Sequence, residues 1–425
     1  MISRHSPRRT LAGVSLAVVM ALGAPVVLYS LAAPAHAEDE TKPNTVRPEI
    51  GKPLQAAKAS LDAKKYQDAL AHLKEADGVA NKTPFEESLL EQLRLIAAVS
   101  AEEPGTAAKA FDVLAAAGAL PPDQKLKFIQ AISGSYFRQK EYANSATWIG
   151  KYFAAGGTDV GMRATLAQAY YLNNDFANAT KATNEAIDAT EKAGQQPAEL
   201  LFQLLTSCAL KQNDKKAYAA ALEKLVAYYP KPDYWLDLLH QVSSRAGFPD
   251  RLSLDVYRLE YAVGVMTKTN EYMEYAELAI QAGLPAEAKS IVDKGYAANV
   301  LGQGNEAERH GRLRDMAKRS VDADQPTLAN AEAEAQKSNN GNAMVNAGVN
   351  FYGYGQYDKA INLIQTGLTK PDVKNPDDAR LHLGIVYLAA GNKAKAIETF
   401  KSIKSGDAVN DLARLWIIKA GGRAA

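Results

Sequence analysis

Histidine is the first residue type to consider for chemistry, since imidazole serves both as a general base and as a metal ligand. The sequence contains no H-E-x-x-H, no C-x-x-C, no G-x-S-x-G and no G-x-x-x-x-G-K-[ST] pattern. We therefore predict no catalytic residues, no metal site and no cofactor, and a protein that is not an enzyme. The six histidines are spread along the chain, with no two at the spacing of metal ligands: His5, His36, His72, His240, His310 and His382.

The context of other potentially reactive side chains also predicts structural roles for them. The adjacent carboxylates Glu86 and Glu87 would point in different directions on a helix and cannot share a substrate. Cys208 is the only cysteine, so it cannot form an internal disulfide. It lies in an apolar helical run, which predicts a small buried residue in place of a reactive thiol.

A stripe of amides is the best candidate for ligand contact. Asn342, Asn346 and Asn350 are spaced i, i+4 and i+8, which places them on one helix face. Asparagine is a poor helix former, so three on one face cost helix stability unless another interaction uses them. Two interpretations stay open: polar packing or a solvated face, and a groove that hydrogen-bonds an extended peptide backbone.

The elements that would position these residues are repeated helical hairpins. The segments Ser133–Tyr136 and Tyr142–Ser145 recur 34 residues later as Ala167–Tyr170 and Phe176–Ala179. A period in the mid-thirties is typical of helical repeat arrays, which bind partners along a surface. The predicted fold is all-α, an α-α superhelix (solenoid) of about ten hairpins. Their first helices are marked at intervals of about 33 to 40 residues by Ala57, Ala97, Ser133, Ala167, Ser207, a position near His240, Ala276, a position near Gly311, Gly348 and Gly384.

Turns and second helices support this division. Asn174, Gly283, Gly355 and Gly391 lie where a first helix must end, and asparagine or glycine can take the left-handed conformation there. Small residues then return about 12 positions after the first-helix marks, where two antiparallel helices must approach closely. These second-helix marks are Ala69, Ser145, Ala179, Ala288, Ala360 and Ala396.

This pattern resembles the tetratricopeptide repeat family. The residues that carry the resemblance are Gly348, Phe351, Gly355, Tyr357, Ala360 and Ile364, followed by Gly384, Tyr387, Gly391, Ala396 and Phe400. The resemblance implies that the first helices line a concave groove that binds proteins or peptides. It would place there Gln130, Phe137, Arg138, Gln168 and Tyr171. In the family, an asparagine at the position of Asn346 helps to hold a terminal carboxylate, but the basic residues that complete that clamp have no clear counterparts here.

The N-terminus predicts export. Arg4, Arg8 and Arg9 precede an apolar stretch, and an A-x-A site at residues 35–37 predicts cleavage between Ala37 and Glu38. Sec and twin-arginine routes both remain open, as does an uncleaved membrane anchor. Either outcome predicts a periplasmic or otherwise exported protein. Without the three arginines, 46 basic residues face 48 acidic ones, a balance that argues against nucleic-acid binding.

The predicted organisation has six parts. A signal peptide or anchor over 1–37 is followed by a Pro-rich charged linker over 38–53 and degenerate hairpins over 54–125. Tetratricopeptide-like repeats over 126–233, divergent hairpins over 234–340 and C-terminal repeats over 341–420 complete the chain. We expect an exported, non-enzymatic scaffold that binds protein or peptide partners on its concave face. The alternative is a factor that binds envelope polysaccharide or peptidoglycan and takes part in its assembly.

Overall fold

The computed structural model describes residues 45–405 and 408–422, and all regular structure in them is helical. This confirms the predicted all-α fold. The helices, in chain order, are α1 Pro48–Asp62, α2 Tyr66–Asp77, α3 Pro84–Ser100, α4 Pro104–Ala116, α5 Pro122–Arg138, α6 Tyr142–Ala154, α7 Val160–Leu172, α8 Phe176–Lys192, α9 Glu199–Lys211, α10 Lys215–Tyr228, α11 Pro232–Ser243, α12 Ser253–Ala262, α13 Thr269–Gln281, α14 Pro285–Ala297, α15 Ala307–Asp324, α16 Leu328–Ser338, α17 Gly341–Gly353, α18 Tyr357–Leu368, α19 Pro376–Ala389, α20 Lys393–Lys401 and α21 Ala408–Lys419.

Successive helices pack as antiparallel hairpins and stack into a superhelix, as predicted. The closely packed pairs are α1/α2, α3/α4, α5/α6, α7/α8, α9/α10, α13/α14, α17/α18 and α19/α20. In the regular repeats, consecutive odd-numbered helices also contact one another, as in α1/α3, α3/α5, α7/α9, α17/α19 and α19/α21, whereas consecutive even-numbered helices make no comparable contact among the described residues. The odd-numbered helices are therefore the inner ones, which makes their side the concave side of the stack.

Small residues sit at the hairpin contacts. All six second-helix marks are fully buried. A Cβ on Gly348 of α17 would lie 3.0 Å from the Ala360 carbonyl of α18, and one on Gly384 would lie 2.3 Å from the Phe400 ring. The paired helices thus approach closely because the facing side chains are small, which confirms the physical basis of the predicted repeat.

The turns adopt the conformation expected from their residues. Asn174, Gly283, Gly355 and Gly391 have φ values of 61°, 72°, 71° and 78°. The equivalent turn positions in the first three hairpins hold Lys64, Glu102 and Lys140, which also take positive φ. Those three were not predicted, because neither lysine nor glutamate favours the left-handed region.

The divergent part departs from a uniform stack. Helices α15 and α16 do not form a hairpin; one 3-10 turn over Gln325–Thr327 joins them, and α14 contacts α17 directly. The mark at His240 is exposed, and a Cβ on Gly311 would meet open space. Neither residue makes the close hairpin contact of the regular repeats, and both lie in the segment predicted to hold divergent hairpins. Ser207 is only half-buried, and its neighbour Cys208 is the buried small residue.

The predicted linker over 38–53 is wrong for its last six residues. Helix α1 begins at Pro48, which is tolerated at the first helical position because its missing N–H would have no partner there. Pro53 lies inside this helix, between the buried side chains of Ile50 and Leu54. Packing of these two residues outweighs the hydrogen bond that Pro53 removes.

Within the described ranges, the buried residues form one large core and three small ones. Three small cores lie in the first half of the chain, between α1 and α9. A single continuous core extends from Ala186 on α8 to Ile418 on α21. The last helix returns to pack against α10, α11 and α12, so the C-terminal half closes on itself instead of continuing as an open stack. The predicted export segment lies outside the described residues.

Candidate functional site

A cavity of about 640 Å³ opens where the closed C-terminal half brings distant helices together. Its walls come from α12, the turn between α13 and α14, and helices α16, α17 and α19. Helices α12 and α19 meet at this cavity, and the residues through which they contact each other are about 130 positions apart in the sequence. Its volume lies within the usual range for sites that hold a small molecule.

The three predicted asparagines of α17 have different environments. Asn342 connects α17 to the loop before α19: its amide donates to the carbonyl of Asp372 and accepts from the Lys374 N–H at 3.1 Å. Asn346 is exposed and lines the cavity. Asn350 is half-buried and also lines it. Polar packing therefore explains the first asparagine, and the other two face a space that could hold a ligand.

The orientation of the Asn350 amide follows from its partner. Its Nδ2 donates to Oδ2 of Asp324 at 3.0 Å. An ionised carboxylate only accepts hydrogen bonds, so the reverse orientation of the amide is excluded. Its Oδ1 is buried and has no hydrogen-bond partner among the described residues. Such an atom costs free energy unless a donor reaches it.

A buried ionic network lies at the base of the cavity. The Arg258 guanidinium donates to Glu287 through Nε at 2.7 Å and Nη2 at 2.6 Å, and to Oδ1 of Asp255 at 2.7 Å. The Tyr275 hydroxyl donates to the same Glu287 carboxylate at 2.8 Å. All four residues are buried, so each charge is offset by direct hydrogen bonds.

Contacts from α19 complete this network. His382 Nε2 lies 3.1 Å and 3.2 Å from the two carboxylate oxygens of Asp255. Burial alone would raise the pKa of Asp255, but the charges of His382 and Arg258 outweigh it and lower that pKa to about 2. Nearby, Arg251 donates to Asp378 of α19 at 2.7 Å and 3.2 Å. These polar contacts hold α19 against α12.

Sequence reasoning found Asn346 and Asn350 but missed the ionic network. His382 was set aside because no other histidine lies at ligand spacing, and its partner Asp255 is 127 residues away. The only local signal was the pair Asp255 and Arg258, three residues apart on one helix. The link from Arg258 to Glu287 needs the contact between two hairpins, which the sequence does not reveal.

The predicted groove residues on α5 and α7 lie on inner helices, and most already have protein partners. Gln130 donates to Asp159 at 3.3 Å, and Arg138 forms an ion pair with Glu102 at 3.0 Å. Gln168 is half-buried. Phe137 and Tyr171, 34 residues apart, make equivalent edge-on ring contacts across their hairpin turns, with centroid distances of 5.4 Å to Tyr142 and 5.6 Å to Phe176. Both rings therefore contribute to hairpin packing.

Other chemistry in the described residues is limited. No cluster of three or more His, Cys, Asp or Glu side chains in residues 45–405 and 408–422 could hold a metal ion. Within the same ranges, none of the helices combines the length and apolar character needed to cross a bilayer. Cys208 is fully buried, as predicted, and burial raises the pKa of its thiol, which disfavours the reactive thiolate.

Comparison with known proteins gives fold-level similarity only. No family model matches the sequence, and no curated protein matches it. Among solved structures, the chain is similar to the TPR2AB domain of yeast Sti1 in complex with pHSP90, with 13% identity, a TM-score of 0.24, and coverage of 69% of this chain and 98% of that one. It is also similar to yeast Tom70 (11% identity, TM-score 0.23, coverage 87% and 95%) and to the TPR domain of P58(IPK) (13%, 0.21, 87% and 98%). These values are too low to transfer a binding activity.

Proposed function

We propose that this protein is an exported, non-enzymatic scaffold that binds a protein or peptide partner on the inner side of its helical stack. The single observation that carries the proposal is the cavity lined by the inner helix α17, where the amide of Asn346 is exposed and the Oδ1 atom of Asn350 has no hydrogen-bond partner among the described residues. Repeat arrays of this kind expose an extended concave surface, and amides suit hydrogen bonding to an extended chain. The predicted signal over residues 1–37 supports export.

Site-specific photocrosslinking in cells would test the binding surface. A photoreactive residue at Asn346 of α17 or at Gln168 of α7 lies on an inner helix, whereas the exposed Ala177 of α8 lies on an outer one. We expect the inner positions to capture one protein of defined mass and the Ala177 position not to capture it. Equal capture at all three positions, or none at the inner ones, would contradict the proposal.

The alternative function is direct binding of envelope polysaccharide or peptidoglycan. The amides and half-buried aromatic rings on the inner helices also suit sugar recognition, because amides hydrogen-bond hydroxyl groups and rings cover apolar sugar faces. Retention of the purified chain on peptidoglycan, with no protein captured at the inner positions, would favour this alternative.

Export needs its own test. Edman sequencing of the protein isolated from the periplasm should begin at Glu38 if the signal is cleaved as predicted. Recovery of the protein only from the cytoplasm would contradict export.

A further inference from the structure

We propose that the cavity between α12, α16, α17 and α19 binds an aminoalkyl cation, in the form of a lysine side chain presented by a partner. The proposal rests on the proposed function only in that a partner supplies the lysine. It assigns the chemistry of one pocket on the inner surface, and it can fail while partner binding elsewhere on that surface stands.

The first argument is the unsatisfied acceptor. Asp324 accepts a hydrogen bond from the Asn350 amide nitrogen, and the Oδ1 atom of Asn350 then has no partner in the part of the chain that the structure describes. The Tyr354 hydroxyl donates to the same Asp324 oxygen at 2.7 Å, which reinforces this arrangement. A ligand that satisfies Asn350 must therefore bring an N–H or O–H donor.

The second argument is the balance of charge. The Arg258 guanidinium is fully engaged by Glu287 and Asp255, and Arg251 is engaged by Asp378. Glu334 on α16 lines the same cavity, is exposed, and has no ion-pair partner among the described residues. His382, the third basic side chain of the wall, is likewise engaged by Asp255. Glu334 is thus the carboxylate of the wall that is left for a bound cation to pair with.

The third argument is the apolar part of the wall. Leu284, Ala335, Ala343, Ala347 and Val349 line the cavity beside these polar groups. A lysine side chain consists of a four-carbon stem with a compact ammonium that carries three donors. Its stem would pack against the alanines and Val349 while the ammonium reaches Asn350 and Glu334. An acidic ligand would find no free cation there to pair with.

Binding of three matched tripeptides to the full-length chain would test this chemistry by isothermal titration calorimetry. The probes are acetyl-Ala-Lys-Ala-amide, the same peptide with norleucine in place of lysine, and the same peptide with glutamate. We expect the lysine peptide to bind about tenfold more tightly than the norleucine peptide, because norleucine lacks the ammonium group and so cannot form the charged hydrogen bond in the cavity. Equal affinity for lysine and norleucine, preference for glutamate, or no binding of any probe would overturn the proposal.

Two variants of cavity residues test whether the lysine peptide binds in this cavity. Asn350→Ala and Glu334→Gln should each weaken binding of the lysine peptide by about tenfold or less, with no effect on the norleucine peptide. Glu334 is exposed, so its variant keeps the test valid if Asn350→Ala does not fold. The matched control is Glu308→Gln on α15, where a carboxylate with an 89% exposed side chain lies outside the cavity. Loss of lysine binding in the control, or full retention in Glu334→Gln, would place the site elsewhere.

Discussion

At the scale of single residues, Glu260 on α12 is a carboxylate whose environment disfavours its charge. Burial raises its pKa to about 7, the nearby Glu271 and Glu274 add to this effect, and Lys268 opposes it. The folded state therefore binds the proton more tightly than the unfolded state, whose pKa is near 4.5. This carboxyl favours folding at low pH, and its contribution is lost as the pH rises through about 7.

The prediction is that Glu260→Gln raises the melting temperature at pH 8 and changes it little at pH 4. The amide removes the charge that the folded state tolerates poorly, whereas at pH 4 the native carboxyl is already protonated. Differential scanning calorimetry at the two pH values measures this directly. Glu308→Gln is the control, since its 89% exposed side chain should matter little at either pH. A stabilisation by Glu260→Gln that is equal at both pH values would contradict the assignment.

Burial of individual side chains could be predicted where the repeat dictates it. Ala179, Ala360 and Cys208 are buried because each lies on the apolar face of a helix with a regular period. The polar groups of the cavity were harder to predict. The contact of His382 with Asp255 depends on how far the stack curves, which no local pattern encodes.

At the scale of elements, the hairpin contact sets the register of each repeat. Ala179 of α8 is fully buried against its partner helix, whereas Ala177, two residues earlier on the same helix, is exposed. We expect Ala179→Leu to overpack this contact and to lower the free energy of unfolding by about 1–3 kcal/mol. Ala360→Leu should have the same effect in α17/α18, where Gly348 already approaches Ala360 closely.

Chemical denaturation measures this effect, and Ala177→Leu is the matched control on the same helix. The control should change stability by less than about 0.5 kcal/mol, because the added methylenes remain in solvent. If Ala179→Leu and Ala177→Leu were equally stable, the register of the hairpin assigned here would be wrong.

The turns between helices show which backbone conformations can be predicted from residue type and which cannot. Asn174 and Gly355 were identified because their residue types favour positive φ. Lys64 and Lys140 take the same conformation at a cost of about 1–2 kcal/mol each. Packing of the two flanking helices imposes that conformation, so the residue type gives no sign of it. A related limit applies to α15 and α16. The sequence marked their region as divergent, but its pattern did not show that the two helices would not pair.

At the scale of the whole molecule, the unexpected feature is the closure of the C-terminal half. The repeat period correctly predicted a stack, but stacking describes only contacts between neighbours. The return of α21 to α10, α11 and α12 depends on the accumulated rotation of all the helices between them. The divergent segment between α11 and α16, where the hairpins are least regular, lies within this closed part.

Ion pairs join α21 to the earlier helices against which it packs, and they offer a test of this packing. Arg414 of α21 donates to Glu223 of α10 at 3.0 Å, 191 residues apart, and both side chains are mostly buried. Arg245, just after α11, contacts Asp411 of α21 at 2.6 Å. Each pair joins α21 to a helix that the repeat alone would not place beside it. Because these ion pairs are partly removed from solvent, each should stabilise the packing of α21 more than a fully exposed ion pair would.

The prediction is that Glu223→Lys loosens α21 selectively, because it places a cation beside Arg414. Backbone amides of α21 should exchange faster with solvent by an amount equivalent to about 1 kcal/mol. Exchange in α1 to α6, which have separate cores, should stay the same. Asp188→Lys makes the same change of charge at an exposed position on α8 and should leave α21 unaffected. Unchanged exchange of α21 in Glu223→Lys would mean that this helix does not rest on α10 in solution.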